Sequence, residues 1–312
     1  MLILLACVSN KDGTDSTPTD TGTGLDPATV ALDGTCPLAS DRGGFIVAAY
    51  EDYSIVDGRV ADAVVPMTVL EELDVEGDCV LYRRNNPHCE GGCEPDETCD
   101  FNGECLPYPQ DQDLGHVTVK GLSADVGMDP GTPGAHYFDT SLPHPGFEAD
   151  ALVRLDSSGV YGEQTLFGVG VETLVLGESV WTLNGGSQLH VSWEPPVGLA
   201  RGEVVLRANI DQHGTSPASV VCVFEDDGTG VVPASMVTAL VDAGVSGFPS
   251  GSLTRQTGDR VDIDGACMDF TVASPRRQDE VRVEGFTPCD EPSDCPPGQQ
   301  CNLEIELCED IE

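Results

Sequence analysis

The chain has 312 residues, with 54 acidic and 14 basic side chains and a formal charge of -40. Only two of the basic residues are lysines, Lys11 and Lys120. Binding to a phosphate backbone needs clustered cations that release counterions, so no nucleic-acid partner is expected. Adsorption to an anionic membrane surface is disfavoured for the same reason. Thirteen cysteines with no CXXC pair point to an oxidising compartment and structural disulfides rather than thiol redox catalysis.

Residues 1–7 read MLILLAC, and Leu4-Leu5-Ala6-Cys7 resembles the lipobox of bacterial lipoproteins. That resemblance implies lipidation of Cys7, which becomes the mature N-terminus, and an outer-membrane destination because Val8 rather than Asp follows it. The match departs from the family in lacking a basic stretch and in its short apolar run, so the true signal peptide is expected to begin upstream. A membrane partner is therefore expected through the lipid anchor alone. Residues 8–35, rich in Thr, Asp and Gly, carry too little apolar surface to fold and read as a disordered tether. Such a segment spans on the order of 30 Å root-mean-square, enough to clear a folded body from the bilayer.

Short strand signals follow over 36–88, which reads as a small β domain: Phe45 to Val47, Val56 to Val65, Met67 to Leu70 and Cys79 to Tyr82. Asp57-Gly58 reads as a turn between two of them. Residues 89–109 form a first cysteine knot, CEGGCEPDETCDFNGEC, with Cys89, Cys93, Cys99 and Cys105. A second knot at 288–312, CDEPSDCPPGQQCNLEIELC, carries Cys289, Cys295, Cys301 and Cys308. Three cysteines of each run in step, and a proline (Pro95, Pro297) stands two places after the second in both. Segments so poor in apolar residues must be held by cross-links. A zinc site would show close CXXC pairs, which these lack. Three pairings are open within each tetrad, and spacing does not choose among them. The knots resemble small Dickkopf-like and EGF-like modules, and that resemblance implies pairing of first to third and second to fourth.

Residues 110–287 read as a β-sandwich. A strand begins at His116, with Val117 and Val119 on one face. Residues 123–150, with Pro130, Pro133, Pro143 and Pro145, read as a long irregular loop of the kind that often carries function. Leu189, Val191 and Trp193 share a strand face. Val220 to Phe224 read as a strand buried on both sides. One helix is expected, with Pro233 at its first position, Met236, Val237, Leu240 and Val241 on its apolar face, and Gly244 at its stop. The expected fold class is all-β: an antiparallel β-sandwich with two small disulfide knots and one short helix. Gln188 to Pro196, QLHVSWEPP, resembles an early strand of fibronectin type III domains, which implies an immunoglobulin-like sandwich. The whole layout resembles uncharacterised surface lipoproteins of myxobacteria, which implies a location and no activity.

Setting Cys7 aside leaves twelve cysteines, an even number. Cys36, Cys79, Cys222 and Cys267 lie outside the knots and fall into two pairs of similar separation, where closing either loop restricts the unfolded chain by roughly 4 kcal/mol. Cys267 shares strand parity with Asp269, away from Met268 and Phe270, and so is placed just before a strand.

Catalytic motifs are missing. Gly244-Val245-Ser246-Gly247-Phe248 fails the nucleophile-elbow frame at its last position, and neither HEXXH nor a phosphate loop occurs. His136, Asp139 and His144 in HYFDTSLPH, with Asp211 and His213 in NIDQHG, could together hold zinc or iron if their loops converge. The simpler reading makes them surface turn residues. Asp262 and Asp264 open a calcium-type loop whose glycine comes two places too early for an EF-hand; no cofactor is expected, with calcium left open. Glu225-Asp226-Asp227-Gly228 reads as a hairpin turn. The expected function is surface binding, adhesion or structure without catalysis, with a protein or glycan partner at the cell surface. The rivals are a tethered metal-dependent hydrolase using the 123–150 loop, and a carbohydrate-binding sandwich.

Overall fold

The computed structural model describes residues 24–66, 69–84, 86–199, 201–210 and 217–311; Cys7 lies outside them. The first strands are β1 (Asp41–Ala49), β2 (Ser54–Val60), β3 (Leu70–Glu76) and β4 (Cys79–Arg84), followed by β5 (Glu97–Cys99) and β6 (Cys105–Pro107) in the first knot. Next come β7 (Val117–Lys120), β8 (Val126–Met128), β9 (Tyr137–Asp139), β10 (Leu152–Ser157) and β11 (Gln164–Val169). Then follow β12 (Val180–Leu183), β13 (Leu189–Ser192), β14 (Glu203–Asn209), β15 (Ala218–Glu225) and β16 (Thr229–Val232), before the helix α1 (Ala234–Asp242). The long hairpin of β17 (Ser250–Ile263) and β18 (Ala266–Arg277) precedes β19 (Glu280–Val283), and β20 (Gln299–Asn302) and β21 (Leu307–Asp310) lie in the second knot.

The fold is an all-β, cysteine-rich sandwich built on one nine-stranded sheet of order β3-β4-β15-β14-β17-β18-β1-β2-β9. Residues 36–88 are not a domain of their own, because they supply four of those nine strands. Most pairings are antiparallel, but β1 runs parallel to β18 and β12 parallel to β19. One face of the long sheet is covered by two layers side by side. The four-stranded sheet β11-β10-β7-β8 closes a core around Phe45, Val56, Val119, Leu155, Leu166 and Phe270. The two-stranded sheets β12-β19 and β13-β16, with α1, close a second core around Trp181, Trp193, Leu206, Cys222, Leu240 and Leu253.

Between these cores β17 turns polar on its inward face at Arg255, Thr257 and Asp259, all buried. Each polar side chain answers backbone groups that no strand pairs. Thr257 Oγ1 accepts from Val169 N at 3.0 Å and donates to Val169 O at 2.8 Å, and Asp259 Oδ2 accepts from Phe167 N at 2.9 Å. The free edge of β11 is thereby satisfied by side chains instead of a further strand. The side chains of Arg255 and Asp226 are each 2% exposed and form a paired contact, Nε to Oδ2 at 2.7 Å and Nη2 to Oδ1 at 3.0 Å. Arg255 also donates to the carbonyls of Glu172, Thr173 and Glu194, while Trp193 Nε1 donates to Asp226 Oδ1 at 2.8 Å. Glu225 to Gly228 is therefore not a hairpin turn: β16 pairs with β13 rather than β15, and the turn carries the chain from the long sheet into the covering layer.

Several local expectations change once strands find their partners. Asp57-Gly58 sits within β2, not in a turn. Gly58 faces Phe45 across the pair, and a Cβ there would collide with the Phe45 ring, so glycine makes room for the aromatic. The 123–150 stretch contains β8 and β9 and buries Leu142 and Phe147, so it packs on the body instead of hanging free. On β15 the inward residues Val220, Cys222 and Phe224 are buried, but Val223 is 43% exposed, so that strand has one open face. The expected tether ends early, for Val30 is buried against Leu152 and Val169, and Gly34 N donates to Gly258 O at 3.0 Å. The helix begins after Pro233, which is its N-cap, and Gly244 follows its end at φ 112°.

Six disulfides join the described cysteines. Within the knots the pairs are Cys89–Cys99, Cys93–Cys105, Cys289–Cys301 and Cys295–Cys308, first to third and second to fourth in each. The other two are Cys36–Cys267 and Cys79–Cys222, with sequence separations of 231 and 143, not two pairs of similar separation. Loops that long restrict the unfolded chain by about 5 kcal/mol each in the loop-entropy picture. Cys267 lies within β18, not before it; its outward side is covered because Cys36 bonds to it there.

Candidate functional site

The loop residues expected as metal ligands each have a partner of their own. His136 Nε2 lies 2.8 Å from Asp57 Oδ2. Asp139 Oδ1 accepts from Ser141 N at 2.8 Å and Leu142 N at 3.1 Å, closing a turn. His144 Nδ1 lies 3.0 Å from Ser54 Oγ. These three do not gather into one coordination sphere, and Asp211 and His213 lie outside the described residues. Asp262 is paired with Cys267 across the β17–β18 hairpin, and Asp264 with Gly265 forms its tip, at φ 47° and 76°. Two successive left-handed residues are what a two-residue hairpin loop demands, which accounts for Asp-Gly there without calcium. Among the described residues, the groups of three metal-type side chains within 4.8 Å all include disulfide-bonded cysteines, which have no thiolate to offer.

The side of the long sheet away from both cores is the surface that sequence patterning alone did not bring forward. On β14, Leu206 and Ala208 point inward and are buried, which turns Arg207 outward and leaves it exposed. Register then places Arg207 beside Ser252 of β17, and Ser252 beside Arg277 of β18. Two arginines thus share one row of the sheet with a serine between them, their Cα atoms about 10 Å apart from two strand spacings. Three other exposed or half-buried arginines are matched to carboxylates, Arg59 to Asp111 at 3.3 Å, Arg154 to Asp156 at 2.7 Å and Arg282 to Glu280 at 2.6 Å, while Arg42, Arg201 and Arg260 donate to backbone carbonyls. The side chains of Arg207 and Arg277, like those of Arg83 and Arg84, have no hydrogen bond or ion pair among the described residues.

They line a hollow of about 380 Å³ together with Tyr50, Ser250, Thr254 and Arg276, and none of its lining residues is acidic. Arg276 is held in place by its own bonds, Nη1 donating to Ala49 O at 3.5 Å and Pro275 O at 2.9 Å. At the mouth, Tyr50 stacks on Tyr53 with ring centroids 4.7 Å apart and planes 16° from parallel. Burial raises the Tyr50 phenol above its ordinary range, with the Tyr53 and Asp57 charges adding to it, so it stays a neutral donor and flat apolar surface. The neighbouring hollow of about 480 Å³ shares Tyr50 and Arg277 but adds Glu51, Asp52 and Asp279, so the basic character is confined to the Arg207 side.

Further along the same face a third hollow, of about 430 Å³, lies between Cys36 to Ala39 and β3, with Glu72, Tyr82 and again Arg207 in its wall. The Tyr82 phenol is raised by burial and by Glu72, and drawn back down by Arg207. Beneath the Cys36 strap, Asp269 Oδ2 accepts from Cys36 N at 3.1 Å. Burial pushes the Asp269 carboxyl up to about 6, against the pull of that N–H. The signal that could have revealed this face is the outward parity of Arg207 in EVVLRAN, in a chain so short of cations.

No family model matches the chain, and neither does any curated protein. Among solved structures, the crystal structure of the FN1–FN3 domains of chicken CNTN1 aligns with 75% of this chain and 70% of its own. The identity is 7% and the TM-score 0.18, too low to relate the two folds or their functions. No described helix is long and apolar enough to cross a membrane, and six disulfides belong to an oxidising compartment.

Proposed function

We propose that this chain is a lipid-anchored, extracytoplasmic recognition module that works by surface contact and not by turnover. The observation that supports it best is the outward face of the nine-stranded sheet, where Arg207 and Arg277 stand unmatched in an acidic protein. The contact surface is that face rather than the 123–150 loop, whose Leu142 and Phe147 are committed to the core. A rigid sheet, cross-linked on both its faces, presents side chains at fixed spacing and suits a body exposed outside the cell. The Cys7 lipobox supports the anchor.

Expression with a complete signal peptide in a bacterial host tests the two halves of this reading. Wild-type protein is expected in the membrane fraction, whereas Cys7→Ser partitions into the soluble one; unchanged partitioning refutes the anchor. Purified Cys7→Ser protein is then offered envelope material at low and high salt, and peptide, ester and glycoside substrates with and without zinc or calcium. Salt-sensitive capture without turnover supports a binding module. Turnover that is lost on His144→Ala overturns it.

A further inference from the structure

We infer that the hollow between Arg207 and Arg277 is a binding site for a saccharide that carries a single carboxylate, of the uronic acid kind. The inference rests on the chain being a binding module and names its ligand. Like charges in one row of a sheet repel, and a surface with 54 acidic side chains has carboxylates to spare. Yet none lines this hollow, and although Glu72 shares a neighbouring hollow with Arg207, and Glu51, Asp52 and Asp279 share one with Arg277, neither guanidinium is paired with any of them. Two planar forks flanking Ser252 suit one carboxylate held between them, accepting from both.

The surroundings select the body that bears this carboxylate. Ser250, Ser252 and Thr254 stand in one file along β17, all facing outward, and supply hydroxyls to a polyhydroxylated ligand. The stacked Tyr50–Tyr53 pair offers a flat face of the kind a sugar ring covers. An acidic peptide fits less well: β14 and β17 are each paired on both sides at this row, and the edge of β18 left open where its pairing with β1 ends at Ala273 lies beyond Arg277, on the side away from Arg207. A polyanion is disfavoured by the charge of -40, which repels it at every distance the screening length allows, whereas one carboxylate meets mainly the local arginines. Glu51, Asp52 and Asp279 lie on the far side of Arg277, in the neighbouring hollow, and keep the anion over Ser252 between the two arginines.

The test uses the full chain carrying Cys7→Ser and titration calorimetry with four probes: a trisaccharide containing one glucuronate, its carboxyl-reduced counterpart, inorganic phosphate and a diaspartyl peptide. The uronate sugar is expected to bind, with affinity lowered on the order of ten- to a hundredfold by reduction of its carboxyl, by Arg207→Ala or by Arg277→Ala. Arg207→Lys is expected to recover only part of the loss, since an ammonium cannot bind both oxygens in a plane. Both arginines are surface residues, and unchanged thermal melts of the variants confirm that the fold survives. Equal binding of the reduced sugar, indifference to both alanine variants, or binding of phosphate or peptide in preference overturns the site. If none of the four probes binds while envelope material is still captured, this site is wrong and the module reading stands; if capture fails as well, the module reading falls with it.

Discussion

Arg255→Met is the sharpest test of how the two cores are joined. Methionine is close to arginine in length but removes the charge and every donor, and the position is 1% exposed, so no water replaces what is lost. The substitution strips Asp226 of its two-point contact and leaves the carbonyls of Glu172, Thr173 and Glu194 without that partner. A buried ion pair broken on one side costs about 3–5 kcal/mol, chiefly because the remaining charge is stranded. For a domain of this size that lowers Tm by roughly 5–9 °C. Denaturant titration with disulfides intact, followed by Trp181 and Trp193 fluorescence, reads the cost directly, and Trp193 reports locally because its indole donates to Asp226. Asp226→Leu alone is expected to be as severe, since it strands the guanidinium. The double variant is expected to be less destabilised than the sum of the two, the mark of a coupled pair. Arg255→Met within about 1 kcal/mol of wild type would refute the seam as the link between the cores.

Asp269 gives a pH dependence with a definite sign. Its folded carboxyl is raised to about 6 while the unfolded one titrates near its ordinary value, so between roughly pH 4 and pH 6 the native state holds the extra proton and stability falls as pH rises. Asp269→Asn keeps an acceptor for Cys36 N and cannot ionise; it is expected to be more stable than wild type at pH 7 by about 3 kcal/mol at most, and equal to it below about pH 4. A stability difference that does not change with pH would contradict the burial argument. Non-reducing peptide mapping is expected to recover Cys36 linked to Cys267 and Cys79 linked to Cys222, with no bridge between the two knots. A Cys36–Cys79 peptide would show that the long sheet is assembled differently.

How much of this protein is legible in its sequence depends on the distance over which each feature is decided. Strand faces are local: Val117 and Val119, or Leu189, Val191 and Trp193, alternate because burial on a pleated strand has a period of two. The helix over Ala234–Asp242 is equally local, written in the spacing of Met236, Val237 and Leu240 after a proline. The knots are also self-contained, since each closes its bridges within 13 residues. Periodicity says which way a side chain points but not which strand arrives beside it. Asp57-Gly58 has turn composition, and only the Phe45 ring packed over Gly58 keeps it in a strand. The partners of Cys36 and Cys79 are undecidable locally because β1 lies beside β18 and β4 beside β15, each more than a hundred residues on, and so residues 36–88 join the sheet of the larger body. The same register sets Arg207 and Arg277 on either side of Ser252. They are 70 positions apart in the chain, and only the pairing of β14 with β17 and of β17 with β18 makes two scattered cations into one site.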